Sequence, residues 1–285
     1  MTQTTQPPKY HYDPSLAAAA TFAALFGIST IVHFFQLRKH KTWYFIVFFI
    51  GVIFQVIGYA ARAVNANETP NWSQGPFIIQ TLLILLSPAL FAASIYMILG
   101  RLIRALDAED LSIVRTKWMT KIFVIGDVLS FAAQCIGGGM LSGAKTIKVV
   151  NRGQDIILIG LGIQILFFGG FIGVISVFHH RILHNPTVKS LNTTLPWKQY
   201  IIVLYIASLL IMVRSIFRVA EFAAGQTSVL QTAEGYLYGL DAVLMFICAV
   251  LFNILHPSRV VQTDSHKPLT DMEMGDRSVT GLAEG

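Results

Sequence analysis

The chain has 285 residues, of which 54% are hydrophobic and 13% charged, with a formal net charge of +6. Soluble domains carry roughly 25% charged residues and disordered chains few apolar ones, so both classes are excluded. A polar start (1–14) and a polar end (258–285) enclose the stretch 15–257, which has room for about seven helical spans of ~20 residues with their loops.

In chain order, continuous apolar runs predict spans over 15–37, 43–64, 77–99, 121–141, 154–178, 199–220 and 235–256. The runs are continuous, not alternating, which predicts an all-α seven-transmembrane bundle and excludes a barrel. The expected organisation is an extracellular segment (1–14), a membrane domain (15–257) and a disordered cytoplasmic tail (258–285). The first residues lack a basic region leading into a short apolar stretch, so no cleavable signal peptide is expected. Cys135 and Cys248 both lie in apolar runs, which predicts two small core residues and no disulfide or metal pattern.

Fourteen of the 21 lysines and arginines fall in the loops after the first, third and fifth spans and in the tail, five on the other side, and Arg214 and Arg218 inside the sixth span. Positive charge marks the cytoplasmic side, so the N-terminus is expected outside and the C-terminus inside. The basic charge is thus a topology signal, and nucleic acid is not an expected partner. Asn67 and Asn71 begin sequons in a loop assigned outside and are expected glycosylation sites, whereas Asn192 begins one on the opposite side. Trp43, Trp72, Trp118 and Trp197 all stand at span edges, as an aromatic belt predicts.

Gly137, Gly138, Gly139 and Gly143 cluster at the end of the fourth span, and Gly160, Gly162, Gly169, Gly170 and Gly173 run through the fifth. The GxxxG pairs Gly139–Gly143 and Gly169–Gly173 predict close helix packing. Ser87-Pro88 predicts a kink in the third span.

Charges at bilayer depth are the informative residues, since each costs about 2.5–3.5 kcal/mol at a helix centre. At about 1.5 Å per residue, Asp241 and Arg214 share a level in the outer half, with Arg218, Glu221 and Arg62 nearer the outer interface. Gln134 also falls in the outer half, and Gln55 and Gln164 near the middle. Arg214, Arg218 and Glu221 share one helix face, and Asp241 could reach Arg214. Two readings follow: an ion pair locking the last two helices, or a polar pocket in which guanidinium forks hold phosphate or carboxylate and the acids hold an amine. Asp127, alone in the inner half, is either a hydrogen-bonded structural acid or part of a proton relay. His180 and His184 are four apart with no third ligand nearby, so no metal site is expected. His33, near the inner end of the first span, is expected at the interface.

No phosphate loop, HExxH, GxSxG or paired-carboxylate arrangement occurs, so neither an enzyme nor a cofactor is expected. The segments SPALFAASIYMILGRLI (87–103), GDVLSFAAQCIGGGM (126–140), GLGIQILFFGGF (160–171), LLIMVRSIFRVAEFAAG (209–225) and YGLDAVLMFICAVLFNILHP (238–257) resemble the fungal lipid-translocating exporters. That family includes aminocholesterol-resistance proteins and sphingoid long-chain-base exporters. The resemblance covers about 10–257 and implies seven spans, an outside N-terminus and a plasma-membrane or vacuolar protein that moves, or confers resistance to, amphiphilic lipids. Its pattern maps onto Gly58, Tyr59, Arg62, Gly100, Arg101, Asp127, Gln134, Gly137–Gly139 and Gln164. It continues through Arg214, Arg218, Glu221, Glu234, Asp241, His256 and Pro257. One departure is Gln55, where the family carries a Glu before its Gly-Tyr.

The leading expectation is a lipid translocator without its own ATPase, with membrane lipids and amphiphilic small molecules as partners. The alternative is a seven-helix lipid sensor that signals through its tail, where Thr263, Ser265, Thr270, Ser278 and Thr280 are candidate phosphorylation sites.

Overall fold

The structure is a computed structural model that describes residues 13–69, 71–143, 146–224, 228 and 233–258. Nearly all of the 1–14 and 258–285 segments, including the five tail hydroxyls, lies outside the described residues.

Seven helices are long and apolar enough to cross a membrane: Leu16–His40, Trp43–Asn67, Gln74–Ala105, Thr116–Leu141, Ile147–His184, Trp197–Ala223 and Glu234–Ile254. We number them spans 1 to 7. Several run well past their apolar stretches, span 5 by the most, because backbone hydrogen bonds hold the helix beyond the point where hydropathy marks its apolar part. No strand occurs among the described residues. One end of the bundle carries the sequons Asn67 and Asn71, both exposed, and the other carries His40, Arg101, Arg104, Arg115, Arg181 and Lys198. We call these the sequon end and the basic end.

Span 1 starts at Ser15, whose hydroxyl accepts from the Ala18 amide at 3.3 Å, a serine N-cap. It ends at Lys41 in the left-handed region (φ 52°). Span 3 is the most enclosed helix and span 1 the least. Glycine lets spans 2 and 3 meet closely. A Cβ on Gly51 would lie 2.8 Å from the Phe91 ring, and one on Gly58 would lie 2.7 Å from Ile84. The Ser87 hydroxyl then reaches across to the Gly51 carbonyl at 2.8 Å. At the core, Phe48 stacks between Phe45 (4.6 Å) and Phe91 (4.2 Å), and Tyr96 packs edge-on to Phe171 at 4.4 Å. Large apolar side chains such as Phe35 and Leu166 stay exposed on the flanks, as a lipid-facing surface requires.

Three expectations are corrected. Glycines do join spans 4 and 5, but through other positions than the GxxxG pairs. A Cβ on Gly137 would lie 2.5 Å from the Gly153 carbonyl, and one on Gly160 would lie 2.8 Å from that of Ser130. Gly139 and Gly173 face open space, Gly143 meets only its own helix, and Gly169 is in ordinary contact with Met212. Trp197 is buried, not part of a belt, and its indole N–H donates to the Ser190 carbonyl at 3.1 Å. That bond ties span 6 to the short helix Val188–Asn192. His33 is fully buried, with Nε2 at 3.2 Å from the Ala249 carbonyl and its ring against Phe45 and Phe48. In each case the position along the helix is as expected and the direction around it is not. Both cysteines are free.

Candidate functional site

Six charged residues gather in the sequon half, drawn from spans 2, 6 and 7. Arg214 and Asp241 are both fully buried and form a two-pronged pair, Nε–Oδ1 2.8 Å and Nη2–Oδ2 3.4 Å. Arg218 Nη1 donates to Glu221 Oε2 at 2.7 Å on the same helix, and its Nε lies 3.8 Å from Asp241 Oδ2. Arg62 Nη2 donates to Glu234 Oε1 at 2.8 Å, and Arg62 Nε to the Tyr238 hydroxyl at 3.0 Å. The Glu234 carboxylate also accepts from the Ser15 amide at 2.9 and 3.1 Å. Three arginines and three acids therefore balance, as charges buried away from water must.

Local backbone chemistry builds this layer. Span 7 passes through a π-turn at Tyr238–Ala242, closed by the Val243 amide donating to the Tyr238 carbonyl. Such turns mark functional sites in helices, and this one aims Tyr238 at Arg62 and Asp241 at Arg214. In span 3, Pro88 has no N–H, so the Ile84 carbonyl lacks its usual helical donor. Arg214 Nη2 supplies one at 3.2 Å.

Some polar groups in the layer remain unsatisfied. Among the described residues, Arg214 Nη1, the Tyr59 hydroxyl and both polar atoms of the Gln55 amide are buried without a hydrogen-bond partner. Tyr59 stands within electrostatic reach of Asp241, Arg62 and Arg214. Gln55 lies one turn further in on the same face of span 2. Each such group costs roughly 1–3 kcal/mol to bury unmade.

The remaining candidates stand apart. Gln134 Nε2 lies 3.3 Å from Gln164 Oε1 and 2.7 Å from the Ser130 hydroxyl, which itself donates to the Gly160 carbonyl at 2.6 Å. Among the described residues no hydrogen bond joins this group to the arginine layer, and these two glutamines fasten spans 4 and 5 together. Asp127, in the other half, is buried with no ion pair among the described residues. It interacts electrostatically with Tyr96, but neither side chain forms a hydrogen bond of regular geometry. His180 and His184 approach at 4.2 Å, and no group of three metal-ligating residues occurs among the described residues.

Tyr238 was absent from the sequence candidates, and Tyr59 and Glu234 entered only as positions of the family pattern, without a site role. Glu234 precedes the hydropathy-defined start of span 7, yet it lies seven residues before Asp241 and so on the same face. An arginine at 62 with no acid on its own helix was the available signal.

The fold and this layer define a seven-span helical membrane protein with a closed, charge-balanced ionic site in one half. The chain matches the family described as RTA1 like protein over residues 48–264 and belongs to that family. It is 35% identical over 273 residues to Protein RTA1 of Saccharomyces cerevisiae, covering 87% of this chain and 84% of that protein. It is 32% identical over 283 residues to Protoporphyrin uptake protein 1 of the same yeast, with coverages of 86% and 90%. A third relative, 32% identical over 270 residues with coverages of 90% and 70%, is named Probable lipid transporter atnI, from Emericella nidulans. No solved structure matches.

Proposed function

We propose that this chain translocates amphiphilic lipids across the membrane without an ATPase of its own, with the arginine layer as the headgroup site. One observation carries the reading: the layer balances its charge internally yet leaves Arg214 Nη1, Tyr59 and Gln55 unsatisfied. Opening it by removing one partner of a buried pair costs about 3–5 kcal/mol. A headgroup that replaces that partner with the same chemistry cancels most of the cost. A phosphate or carboxylate takes the place of Asp241 on the guanidinium forks, and an ammonium takes the place of an arginine on the acids. The unsatisfied groups then receive the headgroup's hydroxyl or amide. The names of the relatives, one a lipid transporter and one an uptake protein for protoporphyrin, agree with an amphiphilic cargo.

In the same proposal the basic end faces the cytoplasm, as the distribution of Lys and Arg favours. Asn67 and Asn71 then face outward and accept glycans. The protein resides in the plasma membrane or a vacuolar membrane, where it moves toxic amphiphiles outward.

The test uses the purified protein in liposomes with a fluorescent sphingoid base or phospholipid. The proposal expects leaflet exchange faster than in empty liposomes, and an equal rate overturns it.

A further inference from the structure

At the basic end, far along the bundle from the arginine layer, spans 1 and 6 and the end of span 7 part around a cavity of about 320 Å³. Gln36 and His40 line it from span 1, Tyr200 and Val203 from span 6, and Ile254 and His256 from the end of span 7. His256 is only 9% exposed, and neither of its ring nitrogens has a hydrogen-bond partner among the described residues. The ring is nonetheless held in place. It stacks on His40 at 5.6 Å and meets Phe45 edge-on at 5.4 Å. Its backbone is pinned by Tyr200, whose hydroxyl donates to the His256 carbonyl at 3.1 Å, and by Tyr44, which donates to that of Pro257 at 2.8 Å. Gln36 is similarly half satisfied: Nε2 donates to the Asn253 carbonyl at 2.6 Å, while Oε1 has no partner. Two side chains that line one cavity thus carry buried, unused hydrogen-bonding atoms, which is costly unless a small rotation brings them to a ligand that completes them.

Charge narrows the ligand. Among the described residues, no Asp, Glu, Lys or Arg lines the cavity. A phosphate would be desolvated with no cation to meet it, and an ammonium with no carboxylate. A neutral imidazole offers one donor and one acceptor, and Gln36 Oε1 offers an acceptor. A hydroxyl matches that set, donating to Gln36 and accepting from His256. The volume suits a small headgroup, and the two acyl chains of a lipid would exceed it. Ile254 beside it is 74% exposed on the flank of the bundle, where chains can lie along the helices.

We propose that this cavity binds the uncharged hydroxyl headgroup of a membrane lipid, with Gln36 and His256 as its hydrogen-bonding residues. The site is separate from the arginine layer and does not depend on the transport reading.

The test uses the full chain reconstituted in phosphatidylcholine vesicles with a photoactivatable diacylglycerol, and parallel samples with the matching phosphatidic acid or a long-chain amine. Diacylglycerol should crosslink near Val203 and Ile254 in preference to both charged probes. His256→Ala should lower the crosslinking roughly tenfold, as loss of one buried hydrogen bond does. His256→Asn, which keeps a donor and an acceptor, should retain most of it. Val203→Trp, which adds bulk to the cavity wall, should abolish it while the protein elutes as the wild type does. Equal labelling by phosphatidic acid, or labelling unchanged in His256→Ala and Val203→Trp, overturns the proposal. Protection by millimolar free glycerol identifies a soluble polyol as the source of the hydroxyl and overturns the assignment to a lipid.

Discussion

Arg214 donates to the Ile84 carbonyl oxygen at 3.2 Å, and that oxygen is available because Pro88, four residues on, has no N–H to give it. The proline in span 3 and the arginine in span 6 therefore form one device. Membrane helices tolerate proline where a neighbour satisfies the freed carbonyl, and here the neighbour is also half of the central ion pair. Pro88→Ala restores the helical donor and makes Arg214 redundant at Ile84. We expect thermal stability in detergent to hold or rise while leaflet exchange falls several-fold.

The Arg214–Asp241 pair separates stability from function by a double-mutant cycle. Asp241→Leu alone leaves a buried guanidinium unpaired and should cost about 3–5 kcal/mol. Arg214→Met with Asp241→Leu removes both charges and should recover most of that loss. Thermal unfolding of the three variants checks the ordering, and the double variant should fold yet move no lipid.

Arg62–Glu234 holds the start of span 1 as well as span 7, since the carboxylate also takes the Ser15 amide. Its acid is partly exposed, at 16%, so Glu234→Ala should cost less than loss of Asp241. Its effect should appear first as faster hydrogen exchange at residues 15–19.

Glycine substitutions distinguish the packed faces from the open ones. Gly137→Ala places a methyl 2.5 Å from the Gly153 carbonyl and should destabilise by roughly 1–3 kcal/mol. Gly139→Ala meets nothing within 4 Å and should be neutral or slightly stabilising. Melting temperatures of the two variants decide the matter.

These glycines also show which part of the structure is legible in the sequence. Hydropathy and charge placed seven spans and the depth of each polar residue, because both depend on position along an axis. They fixed direction around the axis less well. Gly139 and Gly137 differ by two residues, and only one faces span 5. Trp197 and His33 sit at the expected heights but turn inward. The pairing of Arg214 with Asp241 was legible because depth and helix adjacency coincided. Glu234 appeared only as a position of the family pattern, without a role, because it lies outside the apolar stretch, and the bond to Ile84 was hidden because no pattern reveals which side chain will find a carbonyl freed by proline.

His256 gives the account a pH dependence outside the spans. Burial, with the His40 ring beside it, lowers its pKa from 6.5 to about 4. The other titratable groups around this segment are Tyr44, under Arg101 at 4.2 Å, Tyr200, and His33, which interacts electrostatically with His256. The folded protein keeps the ring neutral while the unfolded chain takes up a proton below 6.5, so stability falls as pH drops from about 6.5 to about 4. His256→Gln should flatten that part of the profile, as measured by melting temperature against pH.

The central claim is that the ionic layer closed by Arg214 and Asp241 admits a lipid headgroup. Leaflet exchange of a fluorescent lipid in liposomes tests it most directly, comparing wild type, the folded Arg214→Met/Asp241→Leu variant and empty vesicles. The account predicts exchange by the wild type and the empty-vesicle rate for the apolar pair. Equal exchange by the wild type and the apolar pair, or none by the wild type, would contradict it.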